Sequence, residues 1–576
     1  MNLTSVSGKS WILKSYNQDE ILYLKENFFL DEITSKLLAI RKIKKEEVKS
    51  FLNPLIKNFL PNPENLIDMK KSSLRTFQAI KDKEKIGIFG DYDVDGASST
   101  ALLGNFFSKL KVNFEFYIPD RKKEGYGPSI KAFKNLIEKG VKIIFTVDCG
   151  TLSFEAINYA NENQIDVIVL DHHQSEVNLP TAYSIINPNR LDDSSNLNYL
   201  CAAGVTFVFL VALNKELRSS NWFESNKIIE PNLIDFLDLV SLGTVCDVVP
   251  LIGLNRAIVK QGLKILKYKK NLGLKTLLDI CEIDGNPNIY HLGYVLGPRI
   301  NAGGRVGKSS HGANLLLKDN PKEVFKLASE LNIFNKERQV LENSTLEDIL
   351  LNKKKYFTDP VIVIDDENLH EGVIGIIASR LKDKFNKPVI IISKNNGIGK
   401  ASARSISGFD IGSVIIAATQ EKILIKGGGH KMAGGFTIKE ENINKFKDFI
   451  FKKFKTINVD LSSEKPLYLD SIIASTAINL DFFNKINALA PFGVGNPEPK
   501  FIVENVKSIN NKIIKEKHIK SILVSKNGST IKAIAFNSVD NEIGAYLLKK
   551  DNRLFNIAGK LSLNEWRGQS NVEFII

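Results

Sequence analysis

The sequence predicts an α/β protein. A parallel-sheet domain is followed by a long helical connector, a smaller α/β domain and a C-terminal β-rich domain of the OB type. Three observations carry this. Short, fully apolar runs rich in Ile and Val alternate with helical patterns between residues 85 and 171. A helical pattern of one or two extended helices spans about 321–355, and the last 115 or so residues break into short alternating segments.

A chain of 576 residues exceeds what one core usually supports, so several domains are expected. Residues 1–80 read as a helical segment of the catalytic lobe, broken by Pro54, Pro61 and Pro63. The parallel-sheet domain then covers 81–320, the connector 321–355, the smaller α/β domain 356–455 and the OB-type domain 460–576. In the first sheet, Lys85–Gly90, Val141–Val147 and Asp166–Leu170 read as buried parallel strands. Helices are expected at Ala97–Leu110, Ser129–Lys139 and Ser153–Asn163 between them. In the second α/β domain, Pro360–Asp365 and Pro388–Ser393 read as strands flanking a helix, and Ser521–Val524, Ile531–Phe536 and Asn571–Ile576 read as strands of the last domain.

Composition narrows the class. The 43% apolar and 25% charged content are those of an ordinary globular protein. No run approaches the roughly 18–20 apolar residues of a membrane helix, and Met1–Leu13 lacks a secretory layout, so a cytoplasmic location is expected. Cys149, Cys201, Cys246 and Cys281 are scattered, which argues against a disulfide framework or a zinc site. The formal charge of +13 fits a polyanionic partner, but only 13 of the 78 basic residues are Arg, and a Lys-rich composition accounts for the excess as well.

The chemistry lies at strand ends. Gly90-Asp91-Tyr92-Asp93-Val94-Asp95-Gly96 places three acids at alternate positions directly after a buried strand. In extended geometry they share a face, and such like charges need a cation between them; an acidic turn with Asp95 as a helix cap is the plainer alternative. The next strand ends in Asp148 and the third in Asp171-His172-His173. Ligands of open parallel sheets bind beyond these carboxyl ends. Asp247, in Ser241–Pro250, is a further acid inside a largely apolar run and needs a partner there; Asp238 in the same region reads equally as a structural acid. Asp93, Asp95, Asp148, His172 and Asp247 form the strongest set, and oxygen ligands with one imidazole suit Mn²⁺ or Mg²⁺. Two adjacent ions would activate water and stabilise the leaving oxygen of a phosphoester.

Taken in order, GDYDVDG, Asp148, Asp171-His172-His173 and LGTVCDVVPL resemble the successive motifs of the DHH phosphoesterase family. The likeness runs on through Leu200–Gly204, Gly297–Arg305, His370–Gly375, Gly427–His430, Pro491–Pro499 and Asn564–Arg567, nearly the whole chain. It implies a DHH domain, a DHH-associated domain and a metal-dependent 5′→3′ exonuclease that releases 5′-mononucleotides from single-stranded DNA in repair and recombination. It further implies one ion on Asp95, Asp148, His172 and Asp247, and a second sharing Asp148 and using Asp93. Several relatives place a His four residues before Asp93; here that position is Phe89, which leaves Asp91 or a substrate phosphate to complete the second ion. His173 would contact the scissile phosphate. A single-strand-binding protein, a RecQ-type helicase and a monomeric state also follow from the resemblance. Oligoribonucleases and cyclic-dinucleotide phosphodiesterases of the family are generally shorter, and a catalytically silent DNA-binding relative has no need of the full acidic set.

The grip on the strand is expected in Gly-rich loops. Gly297–Arg305 holds Arg299, Asn301 and Arg305, suited to phosphates or, alternatively, to an internal salt bridge. In the second α/β domain, Gly428 and Gly429 permit close approach of a phosphate backbone. The resemblance implies that Arg404, with Ser405 beside it, and His430 help clamp the strand, with His370 in a further family motif; a tight packed turn is the rival reading. Trp566, with Arg567, suits base stacking or a core position equally.

Overall fold

The computed structural model describes residues 3–121, 123–283, 285–457, 466–549, 553–566 and 569–576. The first domain is built on a five-stranded, wholly parallel sheet in the spatial order Phe114–Tyr117, Ile86–Gly90, Ile143–Val147, Asp166–Leu170, Ser184–Ile186. The three central strands are those expected from their apolar runs; the two edge strands are short, and the sequence reading did not resolve them. One face of the sheet, with Ile88, Phe145 and Ile168, packs on the helices Met69–Lys81, Val94–Lys109 and Ala202–Ser219. The other, with Phe89, Ile144 and Val167, packs on Ile130–Glu138 and Phe154–Glu162.

The turn from Gly90 into the helix Val94–Lys109 sets the site. Asp93 caps this helix, its Oδ1 accepting from the Asp95 and Gly96 N–H groups at 2.9 and 3.1 Å. The cap is therefore Asp93, not Asp95. A side chain at Gly96 would sit 2.5 Å from the Asp91 carbonyl, so only glycine lets the helix start this close to the strand end.

Residues 1–80 do not behave as one unit. Helices Gln18–Phe28 and Glu32–Ile40 bury Leu24, Leu37 and Leu38 against Phe501, Val503 and Leu523 of the C-terminal barrel. Strand Ser10–Leu13 pairs in parallel with Leu467–Leu469. Ile56, Leu66, Met69, Ala79 and Ile80 join the core of the first domain instead, with Phe59, Leu60 and Phe77 packed against it. Helical periodicity shows that a face is apolar, but not which partner covers it.

The connector is a single helix, Pro321–Asn352, whose 32 residues span about 48 Å. Beyond it lies a five-stranded mixed sheet in the order Lys426–His430, Ala433–Lys439, Ile398–Arg404, Val389–Asn395, Ile362–Asp366. The last domain is a six-stranded sheet closed by pairing of Phe501–Ile514 with Phe555–Trp566, which makes it a barrel. Among the described residues, no helix is long and apolar enough to cross a membrane.

Three stretches expected as loops are regular elements. Gly297–Val306 is a helix continuing a π-helical turn, His291–Leu296. Its glycines lie against Cys246, Leu331 and Tyr92, so close packing outweighs their poor helix propensity. Gly427–Gly429 belongs to the edge strand Lys426–His430, and Ala401–Arg404 to an inner strand.

Candidate active site

Three strand ends and one helix end converge at the carboxyl edge of the parallel sheet. Asp91, Asp93 and Asp95 follow the strand Ile86–Gly90, Asp148 follows Ile143–Val147, and His172 follows Asp166–Leu170. Asp247 comes from the C-terminus of the helix Leu237–Cys246. His172 Nε2 lies 3.3 Å from Asp148 Oδ1, 3.6 Å from Asp247 Oδ2 and 3.9 Å from Asp95 Oδ2. Ligand atoms of Asp95, His172 and Asp247 lie within 4.8 Å of one another, as do those of Asp91, Asp93 and Asp148. Two adjacent sets therefore meet around Asp148 and His172.

The backbone is bent to allow this. Asp148 adopts φ 62° and Val248 φ 61°, both in the left-handed region. Such conformations cost free energy in non-glycine residues and persist where the surroundings require them. Asp95 is held from behind by the start of the helix Ala202–Ser219, whose Ala202 and Ala203 N–H groups donate to its two oxygens at 2.7 and 3.0 Å.

Electrostatics shows what the cluster lacks. Burial and neighbouring carboxylates push the acid of Asp148 well above its ordinary range. Burial and Asp93 do the same to Asp91. Asp247 is raised to about 8, by burial first and then by Asp95 and Asp93. Asp91 Oδ1 is buried without a hydrogen-bond partner. Burial lowers the pKa of His172 and so favours its neutral, ligating form. Carboxylate oxygens with one neutral imidazole, carrying uncompensated negative charge, fit a hard divalent cation.

Asp171 is not one of the converging ligands. Its Oδ2 accepts from Thr151 N–H at 3.1 Å and Thr151 Oγ1 at 2.6 Å, and its Oδ1 contacts His173 Nδ1 at 2.7 Å. These partners hold its pKa below the ordinary value, and Asp171 in turn raises that of His173 to about 9 against the effect of burial. Asp171 thus orients a cationic His173 beside Asp148. Tyr126, unremarked in the sequence, donates to the Asp148 carbonyl at 3.0 Å and edges the His173 ring.

Three comparisons bear on the chain as a whole. Residues 85–244 match the DHH family N-terminal domain, 355–456 the DHHA1 domain and 469–576 the RecJ OB domain. Over 99% of its length the chain is 32% identical to the single-stranded-DNA-specific exonuclease RecJ of Bacillus subtilis, of which it covers 70%. It is also 32% identical to the protein of that name in Escherichia coli, over 95% of each chain. This chain belongs to the RecJ family. The crystal structure of RecJ from Thermus thermophilus in complex with Mn²⁺ superposes with a TM-score of 0.81 at 25% identity, over 98% of this chain and 78% of that one. A structure of exonuclease RecJ bound to manganese gives 0.58 at 30% identity, over 68% of this chain and 95% of that one.

In this RecJ-family chain a second group of residues faces the acids. Arg305 is nearly engulfed, and burial with Arg121, Arg338 and Arg404 nearby lowers its pKa to about 10, against the pull of Asp93. Its Nη1 donates to the Gly372 carbonyl at 3.0 Å, and Arg404 Nη1 donates to Ala403 O and Ser402 Oγ at 2.8 and 3.2 Å. Among the described residues no carboxylate pairs with Arg305 or Arg404. Arg121 lies over the Tyr92 ring, 5.1 Å from its centroid. Guanidinium groups from three separate segments meet beside Asp91 and Asp93, a place for phosphate oxygens.

Other expected contacts fall elsewhere. Arg299 bonds Asn332 and the Val295 carbonyl at 3.0 and 2.8 Å, so it ties the helix to the connector, while Asn301 is half-buried on the same helix. Ser405 is buried, and its hydroxyl donates to Phe409 O at 2.6 Å, which occupies it structurally. His370 Nδ1 accepts from Gly372 N–H at 3.0 Å, at the rim of a cavity shared with Glu367, Glu371 and Glu440. Gly429 is closed in by Ala433 and Gly434, but a Cβ at Gly428 would meet open space, and His430 ends the edge strand exposed. Arg567 and the Trp566 side chain lie outside the described residues.

Proposed function

We propose that the chain hydrolyses single-stranded DNA from its 5′ end to 5′-mononucleotides, using two divalent cations, Mn²⁺ or Mg²⁺. One ion belongs on Asp95, Asp148, His172 and Asp247, and the other on Asp91, Asp93 and Asp148. The observation that carries this is the position of His172 Nε2, within 3.9 Å of carboxylates from three elements remote in sequence. When bound, the ions supply an activated water and offset charge on the leaving oxygen.

The protein's own groups do the positioning. Asp171 holds His173 cationic and aimed at the scissile phosphate, where it offsets charge that builds up on the phosphoryl oxygens. Arg121, Arg305 and Arg404 bind the phosphates beside Asp91 and Asp93, with Asn301, His370, Gly428, Gly429 and His430 further along the strand. The barrel, which matches the RecJ OB domain, binds single-stranded DNA outside the catalytic groove.

A single-strand-binding protein and a RecQ-type helicase are the proposed partners, the working state is a monomer, and the setting is DNA repair and recombination in the cytoplasm. Digestion of long single strands labelled at the 5′ or the 3′ end, with Mn²⁺, Mg²⁺ or chelator, tests the reading. Early release of the 5′ label as a mononucleotide, abolished by chelator, is expected. Early loss of the 3′ label would reverse the polarity, and undiminished digestion in chelator would remove the metal mechanism.

A further inference from the structure

The π-helical turn ahead of Gly297–Val306 carries Tyr294 and is preceded directly by Tyr290, two aromatic rings that hydrolysis itself does not use. Tyr290 and Tyr294 stack with centroids 5.5 Å apart and planes 20° apart, yet they are 61% and 72% exposed. The turn packs against the residues leading to Asp247. Cys246 Sγ donates to the Leu292 carbonyl at 3.4 Å, and Gly293 lies against Val245. Immediately past Asp247, Val248 is 65% exposed in the left-handed region. A β-branched residue is rarely found there, and π-helical turns are frequent at functional sites.

The acidic cluster is thus two-sided. Arg121 lies over the ring of Tyr92, which stands between Asp91 and Asp93, and Gly304, next to Arg305, lies against the same residue. Asp247 instead adjoins the π-helical turn, through the contact of Cys246 with Leu292. Phosphates find cations on the first side. The second offers apolar surface and stacked rings. Every base has a π-face, so exposed aromatic rings beside a nuclease centre bind single strands without regard to sequence.

We infer that Tyr290 and Tyr294 form a base-stacking platform for nucleotides of the single strand on the side of the scissile bond away from Arg121, Arg305 and Arg404. The inference rests on the nuclease reading above and adds how the remaining strand is held while one nucleotide is removed.

The test measures binding of the full-length chain, in a cleavage-deficient Asp148→Ala background, to a natural oligonucleotide and to one of equal length made of abasic sugar-phosphate. Tyr290→Ala with Tyr294→Ala should weaken binding of the natural strand roughly five-fold or more, the loss of one base stack, and leave abasic binding unchanged. Tyr290→Trp with Tyr294→Trp should retain the wild-type affinity. Unchanged binding of the natural strand, or equal loss on both strands, would overturn the platform. Nucleotide release by the chain without substitutions is followed in parallel. Its absence would defeat the nuclease reading, whereas normal release with unaffected tyrosine variants would defeat the platform alone.

Discussion

Asp148 belongs to both halves of the cluster and His172 lies within 3.9 Å of carboxylates from three elements, so their loss cannot be shared out among neighbours. His172→Ala or Asp148→Ala should abolish nucleotide release while single-strand binding stays within a few-fold of wild type, as measured by anisotropy; retained turnover would refute the ligand assignment. A different acid reports on stability. Asp238 is buried with Oδ2 unpartnered, and burial raises its pKa from 3.8 to about 7. A carboxyl whose folded value is raised stabilises fully below its unfolded value, and that contribution fades as pH climbs through 7. The loss is at most about 1.4 kcal/mol for each pH unit between the two values. Asp238→Asn should therefore melt higher than wild type at pH 8 and no higher at pH 4; the same difference at both would show that titration is not involved. The acids were legible in sequence because charged residues after apolar strands have few other uses. Arg121, Tyr126 and the orienting role of Asp171 were not, since their partners meet them only in space.

At the scale of elements, the helix Leu237–Cys246 must come close enough for Asp247 to reach His172, and Gly243 allows it. A Cβ there would sit 2.5 Å from Asp95 Oδ1 and 2.8 Å from Ala203 Cβ. Gly243→Ala should weaken Mn²⁺ binding by tenfold or more, about 1.4 kcal/mol, without unfolding the chain, as a metal titration beside a circular-dichroism spectrum would show. The helix Gly297–Val306 brings Arg305 to the acids. Arg305→Ala should lower the salt dependence of single-strand binding by about one unit of slope; an unchanged slope would take it off the phosphate track. Sequence periodicity found the buried strands, which are apolar throughout. It missed Lys426–His430 and Gly297–Val306 because glycine there serves close packing, which composition alone reads as a loop.

For the whole molecule, the buried side chain of Arg256 joins three parts of the chain. It lies in the helix Gly253–Lys267 and donates to the carbonyls of Phe51, Leu489, Ala490 and Pro491 at 2.8–3.2 Å, with Phe51 under its guanidinium. The N-terminal segment, the catalytic lobe and the lead into the barrel are thereby tied together. Arg256→Ala strands several buried carbonyls, each costing about 1–3 kcal/mol. Limited proteolysis should then cut between the lobe and the barrel well before it cuts wild type; identical cleavage kinetics would show the latch to be dispensable. Such long-range ties, like the pairing of Ser10–Leu13 with Leu467–Leu469, leave no local pattern in the sequence.

The most direct test of the central claim is the number of Mn²⁺ ions bound per chain at saturation, counted by calorimetry or by electron paramagnetic resonance. The account predicts two ions for wild type and loss of both sites in Asp148→Ala, because that carboxylate belongs to both ligand sets. Two ions still bound by Asp148→Ala with wild-type affinity would contradict it.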